Sequence, residues 1–163
     1  MEKQREPLHL FTEGSCEMFT QVQLEIMGYL IRGLDIKQIA KELNLAVSTV
    51  SSQKQHKIGE AFVEEGKSAF KAAIVYAVQN DLLPGLEELP DFSSQVLDQK
   101  EKLVLAYMTD GFGNQQICTS LQMRSRELKI VQNRIYGKLG VANEYAAIAV
   151  SVRKVKSLSP NLL

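Results

Sequence analysis

GLDIKQIAKELNLAVSTV, residues 33 to 50, and GFGNQQICTSLQMRSREL, residues 111 to 128, are one segment written twice. Each reads as a helix, a turn and a second helix. Gly33 aligns with Gly111, Leu43 with Leu121 and Val50 with Leu128, in every case 78 positions apart. A helix-turn-helix of this length presents one exposed helix, so a chain with two of them offers two such helices on a common body.

The repeat extends beyond the quoted segments. Thr20 followed by Gln23, and Asp98 followed by Glu101, place a capping oxygen three residues before an amide or carboxylate, which satisfies the first free N–H groups of a helix. After the first cap, Leu24, Met27, Leu30, Ile31 and Leu34 recur at helical spacing; after the second, Leu103, Val104, Ala106 and Tyr107 predict the matching core stripe. Both helices are expected to end near Gly33 and Gly111, where glycine takes up the left-handed closing conformation without strain.

The next helix carries Ile36, Ile39, Ala40 and Leu43 in the first copy, and Ile117, Cys118 and Leu121 in the second. Cys118 sits at an apolar position and reads as packing. A third helix follows, with Val47, Val50, Ile58, Ala61 and Phe62 against Leu128, Val131, Ile135 and Leu139. Phe70, Ala73, Ile74, Ala77 and Val78 form a fourth, answered by Ala147, Ile148, Val150 and Val152. Between the copies LPGLEELPDFSSQ, residues 83 to 95, has two prolines, a glycine and an acidic bias, the composition of a linker.

The fold class is therefore all-α, two tandem four-helix helix-turn-helix units joined by a short acidic linker. The expected boundaries are an N-terminal arm at 1–18, the first unit at 19–83, the linker at 84–95, the second unit at 96–156 and a tail at 157–163.

Composition excludes several function classes. With 45% hydrophobic and 23% charged residues the chain is an ordinary globular protein rather than a disordered one. Its apolar runs are too short to cross a bilayer and MEKQREP lacks the apolar core of a secretion signal, so no membrane association is expected. Two cysteines, Cys16 and Cys118, suit a reducing cytoplasm. His56 has no ligand partner one helical turn away and His9 is remote, so no metal site is expected. No paired carboxylates, activated nucleophile or glycine-rich phosphate loop is present, and neither an enzyme nor a cofactor is implied.

The motif strings then resemble a known family. LDQKEKLVL at 97 to 105, GFGNQQI at 111 to 117, LQM at 121 to 123 and KLGV at 138 to 141 look like the LuxR/GerE-type helix-turn-helix of bacterial transcription regulators; FTQVQLE at 19 to 25, GLDIKQIA at 33 to 40 and LNLAVSTV at 43 to 50 are similar to the same signature. The resemblance covers about 130 residues. Both copies depart from it. Repeat one gains one residue between Val50 and Ile58 and about three around Glu64 to Ser68, and has Ser51 where the family has a lysine; repeat two has Glu127 for the usual threonine and Val131 for the usual histidine.

The resemblance implies double-stranded DNA as the partner, read by the third helix of each unit. VSTVSSQKQHK, residues 47 to 57, contains no acid, and RSRELKIVQNR, residues 124 to 134, carries four cations against Glu127 in a chain of net charge zero. Lys54, Lys57, Lys129 and Arg134 are the implied phosphate contacts; Ser48, Ser52, Gln55, Arg126 and Gln132 the implied base-edge contacts, with Thr49, Arg124 and Asn133 beside them. Lys37, Gln38, Gln115 and Gln116 open the preceding helix, whose first amides approach a phosphate in such an arrangement. Glu127 and the acidic stretch from Asp81 to Asp98 weigh against strong non-specific affinity.

The family pairs through its last helix, so Phe70, Ile74, Ala77, Ile148 and Val152 are the implied dimerisation residues, between two chains as a homodimer or between the two units of one chain. With so short an arm, no sensor domain is expected ahead of the first helix. Two readings of function follow. One is a sequence-specific DNA-binding transcriptional regulator; the other is a regulator that uses the same fold to bind a protein, for example to block another DNA-binding protein. Target sequence, activation or repression, and use of one unit or both are not encoded in these patterns.

Overall fold

A computed structural model describes residues 18–92 and 96–158, with side chains to residue 154. Cys16, His9 and nearly all of the expected arm, residues 93–95 of the expected linker, and the end of the tail lie outside the described residues.

Every regular element among the described residues is helical: α1 (Gln21–Ile31), α2 (Ile36–Glu42), α3 (Val47–Ser52), α4 (Ala69–Gln79), α5 (Gln99–Thr109), α6 (Asn114–Ser120), α7 (Ser125–Leu139) and α8 (Glu144–Leu158). The last runs two residues past the expected end of the second unit. Full capping boxes open α1 (Thr20, Gln23), α2 (Asp35, Gln38) and α5 (Asp98, Glu101), with the reciprocal bonds between 2.8 and 3.3 Å. At α6 the cap position is Gly113, so only half the device remains: its N–H donates to Gln116 Oε1 at 3.0 Å. Gln38 and Gln116 thus serve as caps rather than framing free amides.

The duplication is visible in the backbone. Gly33 and Gly111 close α1 and α5 at φ 93° and 89°, and Asn44 and Gln122, also 78 apart, both take φ 52° in the turn before the third helix. The third helices differ. α7 is a continuous 15-residue helix, whereas its counterpart is six residues of α3, a π-helical turn over Gln53–Lys57 and a short 3-10 turn over Glu60–Phe62. The physical cause is the extra residue. Leu128 and Ile135 are seven apart and both buried; Val50 and Ile58 are eight apart and both buried. One i→i+5 turn, closed by Ile58 N–H on the Gln53 carbonyl at 2.9 Å, takes up the surplus and returns Ile58 to the core.

Four expected core positions face outward. The stripe of α5 is Glu101, Val104, Leu105 and Met108, all buried, while Leu103 and Ala106 are exposed. A stripe read from apolar residues alone is out of phase because its first member is a glutamate. Val47 is also exposed, as is Ala61, which the broken third helix carries away from the core.

The two units share one continuous core, and its centre is α4 against α8. Phe70, Ile74, Ala77, Ile148 and Val152 are all buried there. Ala146 to Val150 are buried without interruption, as expected for a helix covered on every side, here by α1, α4, α5 and α7. Each fully buried isoleucine contributes about 1.5–3 kcal/mol relative to exposure. The segment expected to be a simple linker joins this core as well. Leu83, Leu86 and Leu89 are buried, and Arg153 on α8 donates to the carbonyls of Leu86, Leu89 and Pro90 and pairs with Asp91 at 3.1 Å.

The contacts between the units are reciprocal. Ser68, the N-cap of α4, donates its N–H to the Gly111 carbonyl at 2.7 Å, and Asn143, just ahead of α8, donates Nδ2 to the Leu30 carbonyl at 2.8 Å. The residue before each cap abuts the closing glycine of the other unit: a Cβ on Gly33 would lie 2.6 Å from that of Ala142, and one on Gly111 3.6 Å from that of Lys67. Each unit offers the other the same patch, the pattern of a two-fold interface closed within one chain.

Candidate nucleic-acid interface

The exposed face of each third helix sits opposite the face that enters the core. On α7, Leu128, Val131, Gln132, Ile135 and Leu139 point inward. Arg126, Lys129, Ile130 and Asn133 are exposed, with Arg124 just ahead of the first turn. Among the described residues Arg126 and Lys129 enter no ion pair, unlike Arg134 and Lys138 of the same helix. An open groove of about 510 Å³ runs beside them, lined by Asn114, Ser125, Lys129 and Asn133 on one side and Asn143 and Glu144 on the other.

The other flank of α7 is committed to α5. The Glu101 carboxylate is fully buried: one oxygen receives the Asp98 N–H at 2.9 Å and Lys138 Nζ at 2.7 Å, while the other faces Arg134 Nε at 3.5 Å and is left without a hydrogen bond. Burial pushes this carboxyl's pKa up, but the Lys138 ammonium and the Asp98 amide outweigh it and hold the group below its ordinary value. Arg134, expected on phosphate, thus has a structural partner, although it stays half exposed. Glu127, the acid that weighed against DNA, is paired with Lys100 on α5, and that bond holds its carboxyl below the usual range. Its charge is therefore locally balanced.

Gln132 is a correction. It was expected at a base edge, yet it is buried and donates Nε2 to Asn114 Oδ1 at 3.0 Å, fastening the start of α6 to α7. It lies one residue after Val131 on the inward arc, so the helix phase that buries Leu128 and Ile135 takes Gln132 with it.

In the first unit, Lys37 on α2, Ser48, Thr49 and Ser52 on α3, and Gln55 and Lys57 on the π turn are exposed, as is Gln115 on α6 of the second unit. Lys57 lies 4.0 Å from Glu60, a loose surface pair. His56 is exposed on the same turn. Lys54 differs: it is half-buried, its ammonium 4.9 Å from the ring centre of Tyr145 and 5.7 Å from that of Phe70, which meet edge to face at 5.2 Å. A residue expected on phosphate is thus drawn onto the seam between units. Lys54 is the counterpart of Gln132, 78 positions on, so the helix phase that carries Gln132 inward also turns Lys54 toward the core. Burial raises the pKa of Tyr145, with the neighbouring Glu144 adding to it.

Three contributors to this arrangement were not singled out from the sequence. Lys71 is buried and bridges the units, its ammonium 3.0 Å from Glu144 and 3.1 Å from the Phe112 carbonyl. Arg153 and Asn143 are the others. Asn143 carries a readable signal, since its Oδ1 accepts the Ala146 N–H at 2.9 Å in the standard N-cap manner. Nothing in the local pattern marks Lys71 or Arg153.

A protein-family model described as bacterial regulatory proteins, luxR family, matches residues 17–57 and 95–151, together more than half of the chain. The chain belongs to the luxR family. That family is one of DNA-binding transcription regulators rather than of enzymes. The first match stops at Lys57, where the π turn ends, and the second runs through α8. Within the luxR frame the second unit is therefore the more regular copy. No curated protein and no solved structure matches the chain. Among the described residues no group of His, Cys, Asp or Glu is arranged to hold a metal, and no helix is long and apolar enough to cross a membrane.

Proposed function

We propose that this protein is a sequence-specific DNA-binding transcriptional regulator that presents both of its helix-turn-helix units from a single chain. The observation that carries the reading is the division of cations on α7. Lys138 and Arg134 pair with a buried carboxylate, Glu127 is neutralised by Lys100, and Arg126 and Lys129 remain outward beside Asn133 with no ion pair among the described residues. A solvated helix face needs no such separation; a polyanion does.

The implied dimerisation residues are used internally in this reading. Phe70, Ile74, Ala77, Ile148 and Val152 fill the α4–α8 seam within one chain and are taken up there, so in this reading the active species is a monomer. Arg126, Asn133 and Lys129 act in the second unit, with Arg124 and Gln115 flanking them; Ser48, Thr49, Ser52, Gln55, Lys57 and Lys37 act in the first. Lys54 and Gln132 are assigned to holding the fold together.

A mobility-shift titration with genomic fragments at two salt concentrations tests this. Binding that weakens as salt rises supports it, because each phosphate neutralised releases condensed counterions. No binding to any fragment at low salt overturns it and favours a protein as the partner.

A further inference from the structure

We infer that the DNA this chain takes is a non-palindromic site made of two dissimilar half-sites, contacted by one protein chain. The inference rests on the DNA-binding reading above and goes beyond it by naming the symmetry of the target.

Two observations meet here. The first is the reciprocal seam: Ser68 with Gly111, Asn143 with Leu30, and α4 on α8 relate the units as the halves of a dimer are related, and Lys71 and Arg153 tie them further. Two reading helices are therefore held in one fixed spatial relation without a second molecule. The second is that the heads are different objects. One offers Arg126, Lys129 and Asn133 on a continuous helix; the other offers Ser52, Gln55 and Lys57 across a π turn that takes up one extra residue before Ile58. A palindromic operator mirrors two identical heads related by a two-fold axis. Here the axis survives in the scaffold and is broken in the reading surfaces. Arginine favours guanine through a bidentate contact, whereas glutamine favours adenine and serine discriminates weakly. The base preferences of the two halves must then differ.

Repeated selection from a random duplex library with the full chain tests the inference, together with sedimentation of the complex formed on the winning sequence. The expected result is a site of two unlike halves, at one chain per duplex. Arg126→Ala then lowers affinity by about tenfold and erases base preference in one half only, and Gln55→Ala does the same in the other half. A palindromic motif with two chains bound overturns the inference, and so does preference confined to one half. Salt-sensitive binding with no enriched sequence overturns it while leaving DNA binding intact. Absence of binding at low salt removes both.

Discussion

Asn143 donates its side-chain amide to the carbonyl of Leu30 at 2.8 Å, so the residue that caps the last helix of one unit also closes the first helix of the other. One side chain thus stabilises a helix start, a helix end and the seam between units. Asn143→Ala is expected to cost about 1–2 kcal/mol, the sum of a lost N-cap and a carbonyl left without its donor. Urea unfolding should show a single transition at a lower midpoint with unchanged slope, because the shared core makes both units unfold together. Two separate transitions in the unaltered protein would contradict the shared core.

Lys71 is the buried charge whose removal should hurt most. Breaking a buried pair costs about 3–5 kcal/mol, and since Glu144 keeps 27% side-chain exposure, about 2 kcal/mol is expected for Lys71→Met. Adding Glu144→Gln should recover part of that loss, because the orphaned carboxylate is then gone. Thermal denaturation of the two variants checks this; a double variant less stable than Lys71→Met would exclude it.

Acid should weaken the fold through Glu101. Its folded pKa is depressed below the ordinary value of 4.5 by Lys138 and Asp98, despite the opposing effect of burial. A depressed carboxyl contributes stability that is complete above the unfolded pKa and disappears as pH falls through the folded one, so the loss belongs below about pH 4.5. Asp98, held down chiefly by the Glu101 N–H, acts in the same direction. Glu101→Gln should be less stable at neutral pH and show a flatter dependence on acid; an unchanged slope between pH 5 and 3 would count against this role.

Lys129 and Arg134 should separate function from stability. Lys129→Ala is expected to weaken DNA binding on all sequences alike and to lower the salt slope by about one, with the melting temperature unchanged. Arg134→Ala should lower the melting temperature as well, since it removes a partner of buried Glu101. Equal thermal effects of the two would disprove the division of cations on α7.

The phase error on α5 marks where sequence reading reached its limit. Leu103 and Ala106 were expected inside, but the buried stripe starts from Glu101, a residue that Lys138 and Arg134 from α7 help make tolerable in the core. The contacts that Gln132 and Lys54 make were not legible for the same reason, since their partners, Asn114, Phe70 and Tyr145, come from other helices. The surplus residue before Ile58 was legible, but its absorption as a π turn was not.

What the sequence determined by itself was the pair of helix-turn-helix units, their caps at Thr20 and Asp98, their closing glycines and the apolar positions of α4 and α8. Those features depend on residues three to four apart, whose contacts form whenever the helix does. What the tertiary structure decided was that α4 and α8 cover each other within one chain, and which cations stay outward once Glu101, Glu127 and the Tyr145 ring have taken theirs. Such choices are made between side chains dozens of residues apart, where burial and charge neutralisation outweigh any local preference.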